Sequence, residues 1–271
     1  MARQGDTLLP TTDTLRCWTT NGLPSYRFRL LGGCAGLQHA VFTRLGGVSS
    51  APFASLNVSY DTQDAAGKVR ENLRRVRAAM GSASLVYARQ IHGGTLLALH
   101  ERVPLNPEIP YPLKGVDGFV SSVPGLTMMV KVADCQGVLL FDPTRRVAAA
   151  VHAGWRGSIQ DIVGKAVRLM AAEFQCRPAD VVAGISPSLG PCCGEFRNWR
   201  YELPERFLPY RARSTYFDFW AITRAQLMEA GVPGEKIEIA GLCTRCHPDV
   251  FYSYRGEGRT GRFAVTIGVE G

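Results

Sequence analysis

The chain has 271 residues, 46% of them hydrophobic and 20% charged, a balance that excludes a disordered, collagen-like or coiled-coil protein. Its formal net charge is +8, and only five of its 31 basic residues are lysine. The arginines are scattered without an aromatic platform, which suits small anionic or phosphate-bearing substrates rather than a nucleic acid, and no stretch approaches the roughly 18 apolar residues of a membrane span.

A cytoplasmic chain without membrane or nucleic-acid partners is therefore expected, folded as a single domain over 1–271. In chain order, a β-type run at 39–44 precedes a helix over about 65–80, with Val69, Leu73, Val76 and Met80 on one face and a stop at Gly81. The basic stretch at 70–77 reads as that helix's solvated face. Two β-type runs follow at 85–93 and 95–100, then a proline-rich exposed loop at 104–112. Three more runs, at 126–134, 137–142 and 146–154, are apolar on consecutive residues. A second helix is expected to start at Ser158, with Asp161 three residues on and Ile162, Ala166, Met170 and Phe174 along its apolar face. Beyond a run at 180–186, a third helix opens at Asp218 and ends at Gly231, and runs at 236–241, 250–255 and 262–269 complete the chain. Runs apolar on both faces need cover on both sides, so an α/β architecture with shielded sheets is expected.

The chemistry concentrates at three run ends. Of the five histidines, His92 in "ARQIHGG" and His152 in "AVHAGWRG" each close a β-type run and are followed by small residues, as is Cys135 in "VKVADCQG". Two imidazoles and a thiolate are three of the four ligands of a tetrahedral zinc ion, with the fourth position open as in catalytic sites. The bland alternative is a hydrogen-bonded core histidine beside a small buried thiol. Asp134 adjoins the thiol and either moves a proton or orients a neighbour. Arg44 either clamps phosphate or forms a structural ion pair. Gln90, Asn57 and Asp117 are candidate pocket polar groups, and Arg156 either meets substrate or pairs with a carboxylate. Cys192, Cys193, Cys243 and Cys246 read as a buried thiol cluster, with a second metal as the other reading.

Over about 38–269, the chain resembles the bacterial laccase-domain, or polyphenol oxidase, family, also called peptidoglycan editing factor-like. The strings that carry the resemblance are "FTRLGGVSSAPFASLNV", "ARQIHGG", "VDGFVSS", "VKVADCQGVLLFDP", "VAAAVHAGWRG", "GISPSLGPCCGEF" and "CTRCHPDVFYSYRGEGRTGRFAV". The resemblance implies a four-layer α/β/β/α sandwich and a zinc site at His92, Cys135 and His152. It also implies purine nucleosides and phosphate as substrates, with phosphorolysis of adenosine, inosine, guanosine and methylthioadenosine and deamination of adenosine. Two departures stand out: Gln136-Gly137 where the family usually has a proline two residues after the cysteine, which predicts a looser backbone there, and Gly194 where a tyrosine is common.

Five histidines are too few for coupled oxygen-reducing copper centres. Two further readings stay open: a metal-free Cys135–His152 hydrolase or deamidase, and a cell-wall-precursor or regulatory binding protein without turnover. A monomer or weak homodimer is expected.

Overall fold

The computed structural model describes residues 9–102 and 113–271, so the loop expected at 104–112 lies outside the described residues. Two six-stranded sheets form its centre. The first runs in the order Leu15–Thr20, Leu23–Phe28, Leu37–Phe42, Phe263–Val269, Leu126–Val132, Ser84–Val86. The second runs Ile237–Ile239, Val182–Ile185, Gln136–Asp142, Val147–Ala153, Gly118–Ser121, Leu96–Leu99. Neighbours are mostly antiparallel, with parallel pairing for Ser84–Val86 in the first sheet and at both edges of the second.

The consecutive apolar runs have a direct explanation in the period-2 pleat. In Gln136–Asp142, Leu139 and Phe141 point inward against Phe28, Val265 and Ile267 of the facing sheet, while Val138 and Leu140 point outward into a second cluster. Val147–Ala153 does the same, with Ala148 and Ala150 inside and Ala149 and Val151 outside. Helices Ile162–Phe174 and Phe219–Glu229 cover that outer face through Ile162, Ala166, Met170 and Leu227. Helix Ala66–Ala79 covers the other sheet through Val69, Leu73 and Val76. The layers are therefore helix, sheet, sheet, helix, as the resemblance implies. Among the described residues no helix is long and apolar enough to cross a membrane.

Three local expectations are corrected. The second helix does not start at Ser158: a short helix, Trp155–Ile159, ends there, and the longer one begins after Asp161, whose backbone is left-handed at φ 53° and whose carboxylate accepts the Gly164 N–H. The run at 250–255 is not a strand. Its aromatic side chains Phe251 and Tyr252 are fully buried, which mimics a strand pattern, but Ser253 caps the short helix Tyr254–Glu257 and ends any extended path. The hairpin Leu15–Thr20/Leu23–Phe28 was missed because its first strand is almost wholly exposed; the Asn21-Gly22 pair at its tip, with both φ positive, is the signal that marks it.

Candidate active site and metal centre

Cys135 sits where the chain crosses between the sheets, in the tight turn joining Leu126–Val132 of the first to Gln136–Asp142 of the second. His152 is the penultimate residue of Val147–Ala153, paired with Gly137. His92 belongs to no strand; it lies in the loop after Ala88–Arg89 with a left-handed backbone at φ 58°. The structure brings the three together: their ligand atoms all lie within 4.8 Å of one another, and the two imidazoles meet edge to face with ring centroids 4.7 Å apart. Gly154 keeps this space clear, since a Cβ there would stand 3.2 Å from Cys135 Sγ and 3.4 Å from His92 Cδ2.

Asp117 is fully buried behind the triplet. Its carboxylate accepts the backbone N–H groups of His92 at 2.9 Å and Gly93 at 2.8 Å, and it lies 2.9 Å from His152 Nδ1. Because a carboxylate only accepts, Nδ1 carries a proton, and Nε2 is the nitrogen that can offer a lone pair to a metal once any proton on it has left. Burial would raise the Cys135 thiol, but the adjoining His152 and His92 rings outweigh it and hold it below its ordinary value. Burial would likewise lower His152, and the Cys135 and Asp117 charges outweigh that and raise it. For Asp117, the His152 ring and the Gly93 and His92 N–H groups overcome burial and hold the carboxyl low. A proton is thus readily withdrawn from the thiol, as metal ligation requires.

Two imidazoles and one thiolate in this compass fit a single zinc ion. They do not fit a coupled multi-copper centre. His39 is buried elsewhere and accepts the Phe28 N–H, His100 rests on Phe174, His247 follows the one-turn helix Thr244–Cys246, and none of them lines the cavity.

The triplet lines a cavity of about 630 Å³, in the size range of small-molecule sites. Its lining includes the aromatic residues Trp155, Phe196, Phe219 and Tyr254, with Phe196 and Phe219 stacked at 5.0 Å. It also includes the cationic residues Arg89, Lys131, Arg156, Arg255 and Arg262 and the carboxylates of Asp61 and Asp134, and Arg262 lies over the Tyr254 ring. Burial brings the Lys131 ammonium down to about 7. The Arg156 guanidinium lies 4.1 Å over the Trp155 ring and has no carboxylate partner among the described residues.

The other predicted residues separate. Gln90 lines the cavity, with its amide bonded to both backbone groups of Lys131 at 2.9 and 2.8 Å. Asp134 also lines it, but both carboxylate oxygens are engaged: Oδ1 accepts the Thr244 and Ser253 hydroxyls at 2.7 Å each, and Oδ2 accepts the Arg255 N–H. These bonds tie the loops at Thr244 and Ser253–Arg255 to the residue beside Cys135. Arg44 is not among the lining residues; it donates to the Ala54 and Pro248 carbonyls and pairs with Glu257 at 2.9 Å, which is the structural ion pair. Asn57 is fully buried behind the wall, accepting the Ser59 and Arg262 N–H groups. The backbone after Cys135 is not loose, contrary to expectation: Gly137 donates its N–H to Ser186 Oγ at 2.9 Å, a bond proline could not make, and Gln136 bridges to Phe219 O and Thr223. The four remaining site cysteines do cluster, but at the surface, with only Cys243 buried.

The sequence reasoning missed the aromatic lining and much of the cationic one. Trp155, Phe196 and Tyr254 lie in stretches that carry the family resemblance, and Lys131 is the one charge in its strand, so a signal for these was legible. Phe219 carries none.

Residues 38–270 match the protein family described as multi-copper polyphenol oxidoreductase laccase. A protein of Bacteroides thetaiotaomicron named purine nucleoside phosphorylase is 32% identical over 89% of this chain and 94% of its own length. One of Deinococcus radiodurans with the same name is 34% identical over 93% of this chain and 95% of its own. Among solved structures, YlmD from Geobacillus stearothermophilus superposes with a TM-score of 0.82 at 28% identity, covering 96% of this chain and 100% of that one.

Proposed function

The chain belongs to the family described as multi-copper polyphenol oxidoreductase laccase, and from that membership and the cavity we propose that it is a zinc-dependent purine nucleoside enzyme. It cleaves adenosine, inosine, guanosine and methylthioadenosine with phosphate, and deaminates adenosine to inosine. The observation that carries the reading is the His92–Cys135–His152 triplet in the lining of a cavity that also presents aromatic rings and cationic side chains. His92, Cys135 and His152 hold the metal, which supplies Lewis acidity and acidifies water when bound. Asp117 fixes the His152 ring and the His92 backbone, so two ligands are positioned by one carboxylate.

The purine lies against the aromatic rings, where a flat base replaces water on ring faces. Phosphate meets the cationic side chains of the lining, and Arg156, with no carboxylate to satisfy, is its principal clamp. In phosphorolysis a phosphate oxygen bonds to C1′ of the ribose as the C1′–N9 bond breaks, and the base leaves with a proton. In deamination water adds at C6 and ammonia departs.

A second reading draws on the depressed Cys135 thiol beside a raised His152, the arrangement of a cysteine nucleophile with its base. One experiment separates them. Adenosine alone is expected to give inosine, and adenosine with phosphate to give adenine and ribose 1-phosphate as well. Both products should disappear on strong chelation and in Cys135→Ala, while Arg156→Ala weakens the apparent phosphate affinity by about ten- to a hundredfold and Arg44→Ala leaves it unchanged. Activity that survives chelation but not alkylation of Cys135 selects the cysteine nucleophile. No turnover of any purine nucleoside overturns the purine nucleoside reading and favours a binding protein without turnover.

A further inference from the structure

A second set of metal-type donors lies outside the triplet. Cys192 and Cys193 sit in the turn after Gly190, and Cys243 and Cys246 bracket the one-turn helix Thr244–Cys246. All four sulfurs lie within 4.8 Å of one another. Cys192 Sγ and Cys193 Sγ are each 3.7 Å from Cys246 Sγ. Sulfurs bound to one zinc at about 2.3 Å in a tetrahedron stand about 3.8 Å apart, whereas a disulfide needs about 2.05 Å. Two of the six sulfur–sulfur distances thus match the edge of a metal tetrahedron, and all six lie within the reach of one ion, with all four cysteines free of disulfides. We propose that Cys192, Cys193, Cys243 and Cys246 form a closed, structural tetrathiolate zinc site.

Three further observations fit a bound dication. The Gly190 N–H donates to Cys243 Sγ at 3.4 Å, a bond that favours the thiolate over the thiol. Gly190 is needed for that approach, since a Cβ would come within 2.7 Å of Trp220 and 3.2 Å of Cys243 Cβ. Four thiolates around a dication leave a net negative charge, and the Arg213 guanidinium reaches the same turn, donating to the Cys192 carbonyl at 3.2 Å. Binding releases the thiol protons to solvent, so no oxidant is involved.

With four protein ligands no position is left for substrate, which makes the site a brace. The two loops are already joined by backbone bonds from Thr244 N to Ser188 O at 3.0 Å and from Ser188 N to Leu242 O at 3.2 Å. One loop carries Leu189, Gly194 and Phe196 into the cavity wall, and the other donates the Thr244 hydroxyl to Asp134, next to Cys135. The tetrathiolate site thus stiffens one wall of the catalytic cavity while standing apart from the triplet.

The test is elemental analysis of protein purified without added metal or oxidant. About two zinc ions per chain are expected in the wild type, and about one in each of Cys246→Ser, Cys193→Ser and Cys135→Ala. Cobalt substitution of Cys135→Ala should give the intense sulfur-to-cobalt absorption of a tetrathiolate, lost on adding Cys246→Ser; this reads the site even if one variant folds poorly. Zinc lost from Cys135→Ala but unchanged in both other variants overturns this proposal and leaves the triplet standing; the converse result sinks the triplet and leaves the brace. Disulfides among the four cysteines in freshly purified protein, or iron in place of zinc, also overturn it.

Discussion

His39 and His152 are both buried to within 2% of full cover, yet their surroundings drive them in opposite directions. His152 has a carboxylate and a thiol against it and is pushed up. His39 has only burial and the Arg27 charge, which bring it down to about 3, and its Nε2 accepts the Phe28 N–H at 2.9 Å, a role an imidazolium could not fill. A histidine whose folded pKa lies below its unfolded value of 6.5 stabilises the fold above that value and loses the contribution as pH falls toward 3. Wild-type stability should therefore fall between pH 6.5 and 4, with a contribution from this residue of up to about 1.4 kcal/mol per pH unit. In His39→Gln the amide oxygen keeps the acceptor and does not titrate, so denaturation midpoints at pH 7.5 and 4.5 should lie closer together than in the wild type. An equally steep acid loss in the variant refutes this role for His39. Residue chemistry of this kind is partly legible from sequence: a histidine that closes a β-type run before a small residue marks His92 and His152, whereas His39, also followed by an alanine, opens its run and lies elsewhere, and nothing local distinguishes Arg44, which ends in an ion pair, from Arg156, which ends in the cavity.

At the scale of elements, the join between Trp155–Ile159 and Ile162–Phe174 decides how the site is presented. The chain must turn back at Gln160–Asp161 so that Trp155 and Arg156 reach the cavity while the longer helix lies flat on the sheet. Asp161 does this with a left-handed backbone and a carboxylate that caps Gly164 N at 3.2 Å and meets Arg168 at 2.7 Å. Asp161→Ala should cost about 1 to 2 kcal/mol by losing the cap at a strained position, and Asp161→Gly less, because glycine accepts a positive φ. Chemical denaturation checks the order; an alanine variant as stable as glycine would show that the left-handed backbone costs alanine nothing, and a glycine variant as stable as the wild type would show that the cap contributes nothing. The capping signal itself was visible in the sequence, but the pattern of Ser158 followed by Asp161 could not say that the second residue, not the first, is the cap. Helix Ala66–Ala79 and the strand Phe263–Val269 were legible because their apolar periods are long and end in clear stops. The exposed strand Leu15–Thr20 and the buried turn at Phe251–Tyr252 were not, because there tertiary packing overrides the local period.

At the scale of the whole molecule, the triplet draws on parts that the fold alone assembles. Cys135 comes from the crossing between the sheets, His152 from the second sheet, and His92 from a loop pinned by Asp117. Their separation in sequence is why spacing alone could not establish a metal site and why the pocket's aromatic lining was not foreseen. It also means that the unfolded chain has no preformed site, so metal affinity for the triplet adds to folding stability. Free zinc at about 1,000 times its dissociation constant should stabilise the fold by about 4 kcal/mol, which for a chain of this size raises the melting temperature by roughly 8–16 °C. The tetrathiolate cluster would contribute a shift of its own, so the comparison belongs in a Cys246→Ser background. There, stripped protein should melt higher on zinc addition in proportion to the logarithm of free zinc, and the same protein carrying Cys135→Ala should not respond. Equal responses in the two would mean that zinc stabilises the fold from somewhere other than the triplet; no response in either would mean that the triplet does not hold zinc.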